Sequence, residues 1–110
     1  MVSVKTSGAQ FCAIGTEYTL ATVTDAGVYQ LVLDVSNLGD GSTPDILRIR
    51  HYGKSRSTDT ERLAEEWYLV GSQSQPLWRS NPEISPHSYR VTITQTQGTG
   101  KVIPWAIYTV

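Results

Sequence analysis

Between Tyr89 and Ile93 apolar and polar side chains alternate residue by residue, and this pattern limits what the chain can fold into more than any other feature. Tyr89, Val91 and Ile93 share one side of an extended segment while Arg90, Thr92 and Thr94 share the other, because successive side chains of a strand point to opposite faces. Gln97-Gly98-Thr99-Gly100 then supplies turn chemistry, and Lys101 to Val110 is a second β-branched and aromatic run. The segment from His87 to Val110 is therefore expected to form a β-hairpin with one half-buried face. It carries architecture and no catalytic motif.

The same signals recur upstream. Glu17 to Thr24 alternates and stops at the turn Asp25-Ala26-Gly27, and Val28 to Val35 follows with apolar residues on both faces. Such a strand is expected at the centre of a sheet, with Tyr29, Leu31, Leu33 and Val35 in the core. Val28 and Val32 then need other cover, which a partner protein would provide. Asn37 to Pro44 is a loop by composition. Asp45 to Tyr52 resumes alternation, with Leu47 and Ile49 opposite Arg48 and Arg50. Gly53 to Thr60 has no apolar anchor and is expected as an exposed, mobile tip. The run Glu61 to Val70 is ambiguous. Thr58 with Glu61 imitates a helix capping box and Ala64-Glu65-Glu66 favours helix, yet alternation of Leu63, Glu65, Trp67 and Leu69 and the short return from the preceding strand favour a strand. Pro76, Pro82 and Pro86 confine the stretch from Gly71 to Ser88 to short extended pieces, and it is expected to cross between sheets.

Length and charge narrow the class further. A chain of 110 residues supports one modest core. The reading is one all-β domain over residues 11–110, an antiparallel two-sheet sandwich of jelly-roll-like form with an immunoglobulin-like sandwich as the alternative. Residues 1–10 are expected as a flexible N-terminal arm. A formal net charge of -1 disfavours a phosphate-neutralising grip on nucleic acid. No apolar run approaches the roughly 20 residues that span a bilayer, and no basic-then-apolar leader is visible. The single cysteine, Cys12, excludes an internal disulfide.

The residues name no reaction. His51 and His87 lie outside metal-motif spacing of each other and of Cys12, so both are expected at the surface and no metal or other cofactor is anticipated. Cys12, between Phe11 and Ala13, reads as a small buried hydrophobe rather than a nucleophile. Gly98-Thr99-Gly100-Lys101 lacks the length, the following Ser or Thr and the helix of a phosphate loop. Glu65 and Glu66 point to opposite faces and read as solvated charge, not as a glycosidase pair. With no acid, base and nucleophile set, the chain is not expected to be an enzyme. Of the tryptophans, Trp67 is expected in the core, Trp105 after Pro104 at a sheet edge or bulge, and Trp78, in a proline-bounded loop beside Arg79, exposed.

The segments Thr16 to Leu20, Gly27 to Asp34, Asp45 to Arg50, and Thr92 to Lys101 with Pro104-Trp105 resemble a group of small all-β proteins encoded among the head and structural genes of tailed bacteriophages. The resemblance runs over roughly Thr16 to Tyr108, with a longer loop at Asp40 to Pro44 and no counterpart for Gly71 to Ser85. It implies a virion component made in the host cytoplasm, in first place a capsid decoration (cement) protein. Such a protein binds the outside of the shell built by the major capsid protein, as a homo-oligomer. Head-to-tail connector or tail proteins and carbohydrate- or receptor-binding modules are the alternatives. In the decoration reading the arm, the tip with Lys54 and Arg56, the Trp78-Arg79 loop and Trp105 are the candidate contacts.

Overall fold

Extended segments form wherever Thr, Val, Ile and aromatic residues cluster, since their stiff side chains fit a pleated surface best. The computed structural model describes residues 2–110. Its strands are β1 (Ser3–Phe11), β2 (Glu17–Val23), β3 (Gly27–Asp34), β4 (Ile46–Gly53), β5 (Arg62–Val70), β6 (Leu77–Arg79), β7 (Glu83–Ser85), β8 (Tyr89–Gln97) and β9 (Val102–Thr109). One sheet runs β1-β9-β3-β6, with β7 also on β3; the other runs β2-β8-β4-β5. We call them sheets A and B. Every pairing is antiparallel, and the two sheets pack as a sandwich, the architecture common to both expected forms.

Alternation decides what the sandwich buries. Sheet A turns Tyr29, Leu31, Leu33, Ile103 and Ile107 inward; sheet B meets them with Val23, Leu47, Ile49, Val91 and Ile93. Each of these is at most 6% exposed. Truncating Ile93 to Ala should therefore cost about 3 kcal/mol, the usual transfer-plus-cavity cost, whereas Ile84→Ala, at a side chain 80% exposed, should leave the urea midpoint unchanged. Equal shifts in the two variants would contradict this packing.

Three expectations are corrected. The segment from His87 to Val110 is not a hairpin: β8 pairs with β2 and β4, whereas β9 pairs with β1 and β3, so the turn between them carries the chain from one sheet to the other. Two buried polar residues hold it there. Gln95, fully buried, donates from Nε2 to Thr99 O (2.7 Å) and accepts at Oε1 from Lys101 N (3.0 Å). Asp45 accepts from Thr99 N (2.9 Å) and Gln95 Nε2 (3.2 Å) at Oδ1 and from Gly39 N (2.7 Å) at Oδ2. These bonds take the place of the ladder a hairpin would have formed.

Second, the segment expected as an arm is largely β1, the edge strand of sheet A, paired with β9 from Ser3 to Phe11. Its side chains are mostly exposed, which is why its polar composition reads as unstructured. Met1, the first residue of that expected arm, lies outside the described residues. Third, Pro104 does not mark a sheet edge, because β9 is flanked by β1 and β3. The β3 register with β9 stops at Leu33 and Trp105, so Pro104 occupies the stretch where β9 has run past β3 and one ladder is no longer needed. The ambiguous run is strand β5, and Gly71 to Ser88 does cross between sheets, into β6 and β7 and back to β8.

Candidate functional site

The two outer faces differ in kind. On sheet B, charges and hydroxyls mostly pair with one another, although Arg48 Nε has no partner among the described residues and Tyr68 and Val70 stand exposed on β5. Arg50 pairs with Glu66 (2.6 Å), and Arg90 pairs with Glu61 (2.7 Å) while its guanidinium lies 4.1 Å from the centre of the Tyr52 ring. Glu17 accepts from Thr92 Oγ1 (2.6 Å) and Tyr52 Oη (2.8 Å). Burial pushes the Glu17 carboxyl up, but these two hydrogen bonds and the nearby Arg50 and Arg48 hold it below the usual range.

On sheet A the outward side chains form apolar rows. Val4 stands beside Tyr108, and Ser7 beside Ala106, which in turn neighbours Val32. Phe11 stands beside Val102, and Val28 beside Ile84. Arg79 on β6 and Asp34 on β3, in register with Val32 and Leu77, bring charge to the β6 side of this face. A groove of about 280 Å³ crosses this face between Val2, Gln30, Val32, Leu77, Arg79 and Tyr108. Its lining combines apolar side chains with Gln30 and Arg79, which makes this face a candidate contact surface.

The expected contact residues do not share one surface. Arg79 faces outward on sheet A, in the groove. Lys54 and Arg56 lie in the β4–β5 loop, where Asp59 accepts from Arg56 Nε (3.0 Å) and Nη2 (2.9 Å) and from Ser55 Oγ (2.5 Å). That tip is a closed, hydrogen-bonded turn. Trp78 is not in an exposed loop; it belongs to β6, opposite the inward Leu33, and meets Trp67 edge-on across the sandwich at 5.2 Å. Trp105 is also turned toward the core, its indole lying over Gly8, where an added Cβ would come within 3.1 Å. Sequence parity carried the needed signal, since a strand that turns Trp78 and Trp105 inward turns Arg79, Ala106 and Tyr108 outward.

A second cluster joins residues that sequence spacing keeps apart. His51 on β4 is directly opposite Glu65 on β5, both on the inner face of sheet B. Glu83 on β7 opposes inward-facing Tyr29 and reaches them from sheet A. One donor atom from each of the three lies within 4.8 Å of the others. The surface position expected for His51 is thus corrected, since it is 6% exposed; His87 is half-buried and still reaches the surface. His51 belongs to the row Leu47, Ile49, His51 that alternation buries. Glu65, read as solvated, is half-buried for the same reason.

The surroundings are tight and poorly satisfied. The Tyr89 ring lies 4.7 Å from the His51 ring, tilted by 48°. Neither His51 nitrogen, nor Glu83 Oε1, has a hydrogen-bond partner among the described residues. Burial lowers the His51 pKa, with Glu65 opposing. Burial, with the neighbouring Glu65 carboxylate adding to it, pushes Glu83 up to about 7. An open cleft of about 580 Å³ adjoins the cluster, lined by His51, Gly53, Leu63, Ile84 and Ser88 among others. Cys12, fully buried as expected, has its thiol pushed up to about 11 by burial. Comparisons with protein-family models, with curated proteins and with solved structures each give no match to this chain.

Proposed function

We propose that this chain is a bacteriophage capsid decoration protein, a rigid β-sandwich that seats its sheet A face on the outside of the shell. The observation that supports this most is the make-up of the sheet A face: Val4 and Leu77 stand exposed there beside half-buried Val28, Val32, Ala106 and Tyr108, whereas the outer face of sheet B pairs most of its charges within the chain and exposes Tyr68 and Val70 at its β5 edge. Four strand positions at about 4.8 Å and eight residues at about 3.3 Å give a face of about 500 Å². A contact of that size is at the weak end of specific interfaces. Its strength on a shell comes from repetition, since neighbouring bridges make each further contact effectively intramolecular.

The test is copy number in purified virions of the encoding phage, measured by quantitative mass spectrometry against the major capsid protein. A ratio near one to one, or a simple fraction of it, is expected; about six or twelve copies would instead indicate a connector or tail ring, and absence from particles would end the virion reading. Val32→Lys combined with Arg79→Glu should lower attachment to undecorated shells by about tenfold or more while leaving Tm within a few degrees, because both side chains lie outside the core. Attachment at wild-type strength would remove sheet A from the contact. The carbohydrate-binding alternative loses its two tryptophans, which pack inward, and keeps Tyr108 as its aromatic on this face.

A further inference from the structure

We propose that His51, Glu65 and Glu83 form a binding site for a divalent transition-metal ion, zinc being the best match, that clips the two sheets together at one end of the sandwich. The donor set is one imidazole and two carboxylates, an arrangement suited to borderline cations and poorly suited to soft ones, which take thiolates. Two carboxylates, deprotonated on binding, balance the charge of a divalent ion, and three protein ligands leave a fourth position for water on the side of the cleft that His51 lines.

The geometry needs little adjustment. Donor atoms all within 4.8 Å of one another must approach to about 3.4 Å for tetrahedral zinc with bonds near 2.1 Å, a closure of at most about 1.4 Å that rotation of the two glutamate side chains would have to supply. His51 is the independent witness. It is 6% exposed, packed on Tyr89, and both of its nitrogens lack a hydrogen-bond partner among the described residues. Buried polar atoms are almost always satisfied, and a buried imidazole with no protein partner leaves room for an ion or a water to complete its bonding. Glu83 Oε1, equally unpartnered, faces the same space from the opposite sheet. An apolar core residue would have suited positions 51 and 65 better if packing were their only task, since Leu47 and Ile49 precede His51 and Trp67 and Leu69 follow Glu65 on the same inward rows.

The experiment is a titration of the full chain, untagged and freed of metal by a chelator, with Zn²⁺ by calorimetry and thermal melting. Expected is one zinc per chain, with Tm raised by about 10 °C at a hundredfold excess over Kd. Glu83→Gln and Glu65→Gln, each nearly isosteric, should weaken binding by about 100-fold or more, since losing a ligand costs at least as much as losing the outer hydrogen bonds of such sites. His87→Gln, outside the cluster, should bind like the wild type. Cobalt(II) should give the visible absorption of a tetrahedral N/O site without a thiolate charge-transfer band. No zinc binding by the wild type, unchanged binding in both glutamine variants, loss of binding in His87→Gln, or a thiolate band would each overturn the proposal. Should one glutamine variant fail to fold, the other and the His87→Gln control still decide.

Discussion

Asp45→Ala is expected to destabilise the domain by about 3 kcal/mol and to lower Tm by about 12 °C. Asp45 is 4% exposed, and its carboxylate is the common acceptor for three segments: Gly39 N in the preceding loop, Thr99 N in the sheet-crossing turn and Gln95 Nε2 on β8. Its backbone adds a fourth tie, Gly71 N donating to Asp45 O at 2.7 Å. Removing the side chain strands two backbone N–H groups, each costing about 1–3 kcal/mol when buried without a partner. Gln95 keeps Thr99 O and Gln97 O as acceptors and contributes less to the loss. Asp45→Asn sharpens the test. Both carboxylate oxygens accept from backbone N–H groups, so either orientation of an amide sets its NH₂ against a donor, and Asn should recover less than half of the loss. Chemical denaturation of the three proteins measures this; an Asn variant as stable as the wild type would show that charge and hydrogen bonding at Asp45 matter little.

Gly98→Ala should cost about 3 kcal/mol or more, and Gly15→Ala about 1 kcal/mol, although both glycines hold positive φ. The difference is space. At Gly98 (φ 99°) a Cβ would collide with Asp45 Oδ1 and stand 2.8 Å from Asp45 Cα, which is backbone and cannot swing aside. At Gly15 (φ 84°) a Cβ would meet nothing within 4 Å, so only the backbone penalty remains. Thermal melts of the two variants side by side separate conformational strain from steric exclusion. Equal losses would mean that the turn shifts away from Asp45 when crowded.

Strands and their inward rows were legible because alternation is a local property: Leu47 and Ile49, or Val91 and Ile93, announce their side of the sheet within a few residues. Partner choice is not local. Gly98 and Gly100 look the same in a hairpin as in a crossing turn, and what selects the crossing is Asp45, far away in sequence, together with the side chain of Gln95. Trp78 was misread because the prolines around it outweighed a three-residue strand that gains stability only from β3. The cluster of His51, Glu65 and Glu83 is invisible to motif spacing, since it depends on the β4–β5 register and on a facing strand from the other sheet. One signal was present: His51 and Glu65 are the polar members of otherwise apolar rows.

The position of β9 sets the order in which this protein can be built. It follows the other eight described strands in sequence, yet it lies between β1 and β3, and even its nearest register partner on β1, Phe11, pairs with Val102. During synthesis sheet B can pair all of its strands once β8 has emerged, while β1 and β3 wait with open hydrogen-bonding edges for a strand that is translated after the other eight. Pairings so distant in sequence make folding slow, and waiting edges invite the wrong neighbour. Nascent chains crowded on one message are therefore the setting in which this sandwich is most exposed to strand exchange between copies.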